Sequence, residues 1–202
     1  PALALPICLE AVRARKPLLI EKPLAITGAQ AHEMVQAAEQ AGVPLMTAHT
    51  LRFEPVLQEF RAAIPTVGTR RYLTLTSRVE PRPQGPYRAD EFGGRGVLLE
   101  IGIHLLDAIR VLTGDEVADV QCEMERLESG GPEVRVWASL RTTSGFPVLL
   151  DVSRVTRGRV SRAEWVGAEG QLQVDWMHHR LVRTEAGLAR QEPAVRADDC
   201  WQ

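Results

Sequence analysis

Residues 93–114 read Gly-Gly-Arg-Gly-Val-Leu-Leu-Glu-Ile-Gly-Ile-His-Leu-Leu-Asp-Ala-Ile-Arg-Val-Leu-Thr-Gly. The run is almost wholly apolar and is interrupted by Glu100, His104 and Asp107. Positions i, i+4 and i+7 share one face of a helix, so the pattern predicts a buried helix with acid, imidazole and acid aligned along it. Gly114 suits the left-handed position that ends such a helix. Upstream, the apolar spacing predicts a helix over 6–15, a short buried strand at 18–20, a helix from Thr27 to about 41 closed by Gly42, and a strand over 43–49. Alternation of helix and strand is the pattern of a parallel α/β sheet.

The texture changes after Leu51. A short helix is expected over 55–63, a strand over 72–79, and a proline- and arginine-rich loop over 81–92. Beyond the 93–114 helix the period is two. Val120, Cys122 and Met124 alternate with polar residues, as do Val134, Val136, Ala138 and Leu140. Val148, Leu150 and Val152 follow, then Ala163 and Trp165, then Leu172, Val174 and Trp176. Glycine-rich turns separate them. Alternation of this kind predicts an open, mostly antiparallel sheet with one face on a core. The 97–112 helix is the natural cover for that face. Arg135, Trp137 and Arg141 fall on the other. The stretch from 185 onward has no clear period.

Composition narrows the class. The chain has 202 residues, 45% hydrophobic and 25% charged, with a formal net charge of −2. These are globular values that give no electrostatic reason to expect nucleic acid or an anionic membrane. No apolar run is long enough for a membrane-spanning helix, and no signal peptide is visible. Cys8, Cys122 and Cys200 lie far apart without metal-ligand spacing, which points to reduced thiols and a cytoplasmic protein. Of 24 basic residues only Lys16 and Lys22 are lysine.

Three motifs occur in order: Leu18-Leu19-Ile20-Glu21-Lys22-Pro23-Leu24-Ala25, Ala48-His49-Thr50-Leu51-Arg52-Phe53-Glu54-Pro55, and the segment from Gly93 to Asp107. Together they resemble the Gfo/Idh/MocA oxidoreductases, over roughly residues 6–174. The resemblance implies an α/β remnant of a Rossmann domain over 1–49. It implies an α+β substrate-binding and oligomerisation domain over 50–202, with an open, mostly antiparallel sheet covered by helices. It implies hydride transfer between NAD or NADP and a hydroxyl carbon of a sugar, polyol or related small molecule, and a homo-dimer or tetramer formed through the open sheet. Carried over by position, Lys22, Glu100 and His104 form the catalytic set. Glu21, Lys22, Pro23 and Arg52 lie toward the cofactor, and the peptide before Pro23 is expected to be cis. Glu100 stands where the family usually has Asp. No metal is implied.

The chemistry is coherent on the residues alone. Oxidising an alcohol needs a base for the hydroxyl proton, and imidazole has a suitable unperturbed pKa. A lysine can donate to the substrate oxygen and then release a proton, which arginine cannot readily do. Glu100, one turn before His104, can orient the imidazole or relay a proton. Plainer readings stand beside these. His104 can be a core histidine, Glu21 and Lys22 a surface ion pair, Arg52 a salt bridge between two domains, and Asp107 a partner for a nearby arginine. His178 and His179 fall in a solvated turn. No G-x-G-x-x-G follows a strand, and 93–96 lacks that spacing. The expectation is therefore that the chain carries only the tail of a dinucleotide domain and does not hold the cofactor tightly alone. The alternative expectation is a truncated, non-catalytic ligand-binding or oligomerisation module.

Overall fold

The computed structural model describes residues 3–81, 96–127, 129–185 and 188–191. Helix α1 (Ala4–Arg13) and strand β1 (Leu18–Glu21) open the chain. Helix α2 (Gly28–Ala41) and strand β2 (Leu45–Ala48) follow. Thr27 caps α2, its Oγ1 accepting from the Gln30 N–H at 3.3 Å, and Gly42 closes it at φ 62°. Both ends were legible because the capping residues are local. Strands β1 and β2 pair in parallel, Leu19 opposite Met46. The two helices cover one face of this pair. Cys8, Val12, Ala25, Met34, Ala38 and Val43 are buried there. The other face is bare, with Leu19 70% and Met46 45% exposed. The strand expected to be buried is thus buried on one side only.

A 3₁₀ turn (Thr50–Phe53) leads into helix α3 (Pro55–Ala63), which starts on a proline as its sequence implies. Strand β3 (Arg70–Arg78) comes next. After the undescribed stretch a π-helical turn (Leu98–Gly102) runs into helix α4 (Ile103–Thr113), closed by Gly114 at φ 69°. Glu133 fixes the start of this segment, its carboxylate accepting from the N–H groups of Gly96 and Leu98, both at 3.1 Å. A Cβ on residue 96 would lie 2.0 Å from the Glu133 carbonyl oxygen, so only glycine permits that approach.

The remaining strands are β4 (Val117–Arg126), β5 (Glu133–Thr142), β6 (Pro147–Ser153), β7 (Val160–Gly167), β8 (Gly170–Asp175), β9 (Arg180–Glu185) and β10 (Leu188–Gln191). They form one eight-stranded sheet with β3, in the order β10-β9-β8-β7-β3-β6-β5-β4. Only β3 and β6 pair in parallel. Helices α3 and α4 cover one face over a core that includes Phe60, Leu73, Leu105, Ile109, Leu150 and Trp165. The opposite face is open and carries Tyr72, Trp137 and Leu149, with Arg135 stacked 3.9 Å over the Trp137 ring.

One expectation fails at the sheet edge. Val120, Cys122 and Met124 alternate as a core-facing strand would, yet they are exposed. Their register opposite Leu140, Ala138 and Val136 puts them on the helix-covered side, but at the outermost strand, where the helices leave them bare. Of the stretch from 185 onward that showed no period, residues 188–191 form β10. Among the described residues no helix is long and apolar enough to cross a membrane.

Candidate active site

The carboxyl ends of β1 and β2 point to one place. Residues just past parallel strand ends are where α/β sheets bind ligands. Lys22 follows β1, and its peptide bond to Pro23 is cis. His49 follows β2. Helix α4 of the larger sheet meets them. The Lys22 Nζ donates to the backbone carbonyl of Glu100 at 2.7 Å, tying the small sheet to the start of the α4 segment. Arg52 grips Asp107 with two hydrogen bonds of 2.8 and 2.6 Å, and Asp107 is itself buried. Of the plainer readings, the pairing of Asp107 with an arginine is what the structure shows.

His104 is half-buried, and its Nδ1 is buried without a hydrogen-bond partner. The His49 ring stands edge-on to it, centroids 6.5 Å apart and planes at 88°. Burial pushes the His104 pKa down to about 4, and the positive charge of Lys22 and the presence of His49 add to this. Burial lowers the His49 pKa as well, with Asp107 opposing. His104 is therefore neutral at pH 7, and a weaker base than a free imidazole.

The Glu100 carboxylate accepts from Arg154 Nη2 at 2.7 Å, while Asp107 turns to Arg52. The i→i+5 bonding of the π-helical turn at Leu98–Gly102 departs from the α-helical spacing assumed from the sequence. Arg154 also donates to the Glu80 carbonyl at 2.9 Å, and Glu80 pairs with Arg159. Local spacing could not reveal Arg154, which is 54 residues from Glu100.

Beside His104 lies a cavity of about 190 Å³. Its walls include Ser77 and Val79 near the end of β3, Ser161 on β7, Trp176 after β8, and Ile101 and His104 from the helical segment. Lys22, Glu100, His104 and Arg52 are thus gathered around one end of the two sheets, and Glu21 and Pro23 flank Lys22. Of the proline- and arginine-rich loop expected over 81–92, residues 82–92 lie outside the described residues, as does Cys200. His178 bonds Asp175 in an exposed turn, whereas His179 reaches back to Glu54 at 3.2 Å.

Comparison with known proteins fits this arrangement. Residues 65–173 match the GFO/IDH/MocA C-terminal domain, and residues 4–49 match the NAD-binding Rossmann fold of the same oxidoreductase family. The chain belongs to the Gfo/Idh/MocA oxidoreductase family. It is 34% identical over 172 residues to the 1,5-anhydro-D-fructose reductase of Ensifer adhaerens, covering 81% of this chain and 51% of that protein. It is 29% identical over 178 residues to the myo-inositol 2-dehydrogenase of Thermotoga maritima, covering 84% and 52%. The chain thus spans about half the length of these relatives. In fold it resembles an inositol dehydrogenase homolog from Azotobacter vinelandii complexed with NADH and myo-inositol, with a TM-score of 0.83, 18% identity, and coverage of 95% and 53%.

Proposed function

We propose that the chain is the C-terminal part of an oxidoreductase that moves a hydride between NAD or NADP and a hydroxyl-bearing carbon of a sugar, polyol or related small molecule. One observation carries this reading. Lys22, from the small parallel sheet, bonds the Glu100 carbonyl one turn before His104, and His104 lines a cavity. In the oxidative direction the neutral His104 imidazole takes the hydroxyl proton. The Lys22 ammonium donates to the same oxygen and stabilises charge as the carbonyl forms. Glu100, held by Arg154, anchors Lys22 through its backbone rather than acting on the imidazole. The nicotinamide, when bound, supplies the acceptor for the hydride.

The residues present fit the nicotinamide end of the cofactor. Glu21, Lys22 and Pro23 sit at the carboxyl end of β1, with Arg52 just beyond β2. Among the described residues no glycine-rich strand-to-helix turn cradles a pyrophosphate. Tight binding of a dinucleotide requires such a turn, and the bare face of β1–β2 offers a place for further elements of that domain to pack.

The test is turnover in this chain joined to a complete nucleotide-binding half. His104→Ala and Lys22→Ala each lower the rate by roughly a hundredfold or more, with the circular dichroism spectrum kept. Near-normal turnover in either variant removes that residue from the mechanism.

A second reading concerns the open sheet face, where Trp137 is 44% and Leu149 50% exposed. We infer that a second copy of the chain covers it, giving a homo-dimer or tetramer. Light scattering of Trp137→Glu tests this, and an unchanged mass argues against it. A stable oligomer that shows no response to NADH or NADPH would favour a non-catalytic module instead.

A further inference from the structure

The core-facing side of the sheet is apolar along almost its whole length. Along β3 it reads Leu73, Leu75, then Ser77. Along β7, running the other way, it reads Trp165, Ala163, then Ser161. The change from apolar to serine falls at the same level on both strands, because Ser77 and Ser161 are directly opposite each other in the ladder. Both are nearly buried, at 5% and 9% exposure. Neither hydroxyl bonds to another described residue, yet both line the cavity at His104. Two unbonded hydroxyls side by side, open to a cavity from otherwise buried residues, suit a polar occupant. The backbone N–H of Trp176 donates to the Ser161 carbonyl at 3.1 Å, which sets the indole as a third wall.

The cavity has two further properties. Its 190 Å³ equals the share of roughly six liquid waters, too much for a packing defect and about right for one small ring. Among the described residues its lining contains no Asp, Glu, Lys or Arg. A carboxylate or phosphate seated against these walls, away from Lys22, would be desolvated with no cation among them, at a high cost.

Resting on the reading of the site given above, we propose that Ser77, Ser161 and Trp176 determine specificity. The two hydroxyls bind adjacent hydroxyls of a single uncharged polyol ring, and the indole packs on its C–H face. The carbon that reacts lies against His104. The site thereby favours neutral polyols over sugar acids and sugar phosphates.

The chain itself can be titrated with D-glucose, myo-inositol and D-glucuronate, following the Trp176 indole N–H and the His104 ring signals by NMR. At least one neutral probe shifts both signals saturably, and D-glucuronate binds at least tenfold more weakly than D-glucose. Ser77→Ala and Ser161→Ala each weaken binding roughly three- to tenfold, the worth of one hydrogen bond, while the melting temperature barely changes. Ser77→Thr, which keeps the hydroxyl, retains most of the affinity. The proposal is overturned if D-glucuronate binds as well as D-glucose, if the double alanine variant binds unchanged, or if no probe gives a saturable shift. Its failure is separable from that of the dehydrogenase reading. Serine-dependent binding with turnover indifferent to His104 defeats only the latter. Turnover dependent on His104 with indifferent serines defeats only the former.

Discussion

The two hydrophobic clusters of this chain are built on different scales. The small one buries six side chains between two helices and a two-stranded sheet, and its far face is bare. The large one packs two helices against eight strands and buries whole aromatic side chains, Phe60 and Trp165 among them. No buried residue belongs to both. Polar contacts run between them: Lys22 bonds the Glu100 carbonyl, and His49 lies 3.9 Å from Asp107, which Arg52 grips. Apolar contact gives each unit its own shape, whereas directional hydrogen bonds between the units fix the angle at which they meet. A catalytic arrangement that draws Lys22 from one unit and His104 from the other benefits from such a joint.

That contrast can be broken at several points. Trp165→Ala, deep in the large cluster, costs about 3–5 kcal/mol and lowers the urea midpoint of the whole sheet. Met34→Ala, fully buried in the small cluster, costs about 2–4 kcal/mol. Its effect is confined, so hydrogen exchange speeds up in α2, β1 and β2 while β5 and β6 stay protected. Equal loss of protection in both units would show that they unfold as one. Asp107→Asn removes the charge that Arg52 grips and costs about 1–2 kcal/mol. It also loosens the joint, which small-angle scattering would detect as a wider spread of interdomain angles.

A further effect is a pH dependence. His104 has a lower pKa folded than unfolded, so as pH falls the unfolded chain takes up a proton first and stability drops. The loss runs from about pH 6.5, the ordinary histidine value, down to about 4, and is absent above pH 7. Denaturant titrations across that window show the slope. His104→Gln flattens it, and an unchanged slope would place the titration elsewhere.

Much of this fold was legible because its signals are local. Thr27 and Gly42 bound α2, Pro55 starts α3, and alternation marks the strands. The site was legible only in part. Lys22 and His104 stand in recognisable motifs, but the partner of Glu100 is 54 residues away and no periodicity points to Arg154. The facing of Ser77 and Ser161 arises from strand pairing across 84 residues. β4 misled for a related reason: alternation tells which residues share a face, not whether anything covers that face at the edge of a sheet.

The central position of β3 has a consequence for synthesis. Its parallel neighbour begins at Pro147, with Leu73 pairing with Val148, and its antiparallel neighbour begins later still, at Val160. At about 5–20 residues per second a ribosome needs roughly four to fifteen seconds to make the intervening chain. Throughout that interval Leu73 and Leu75, which end up sealed in the middle of the sheet, have no strand to pair with. During translation, then, the middle strand of the sheet waits longest for its neighbours.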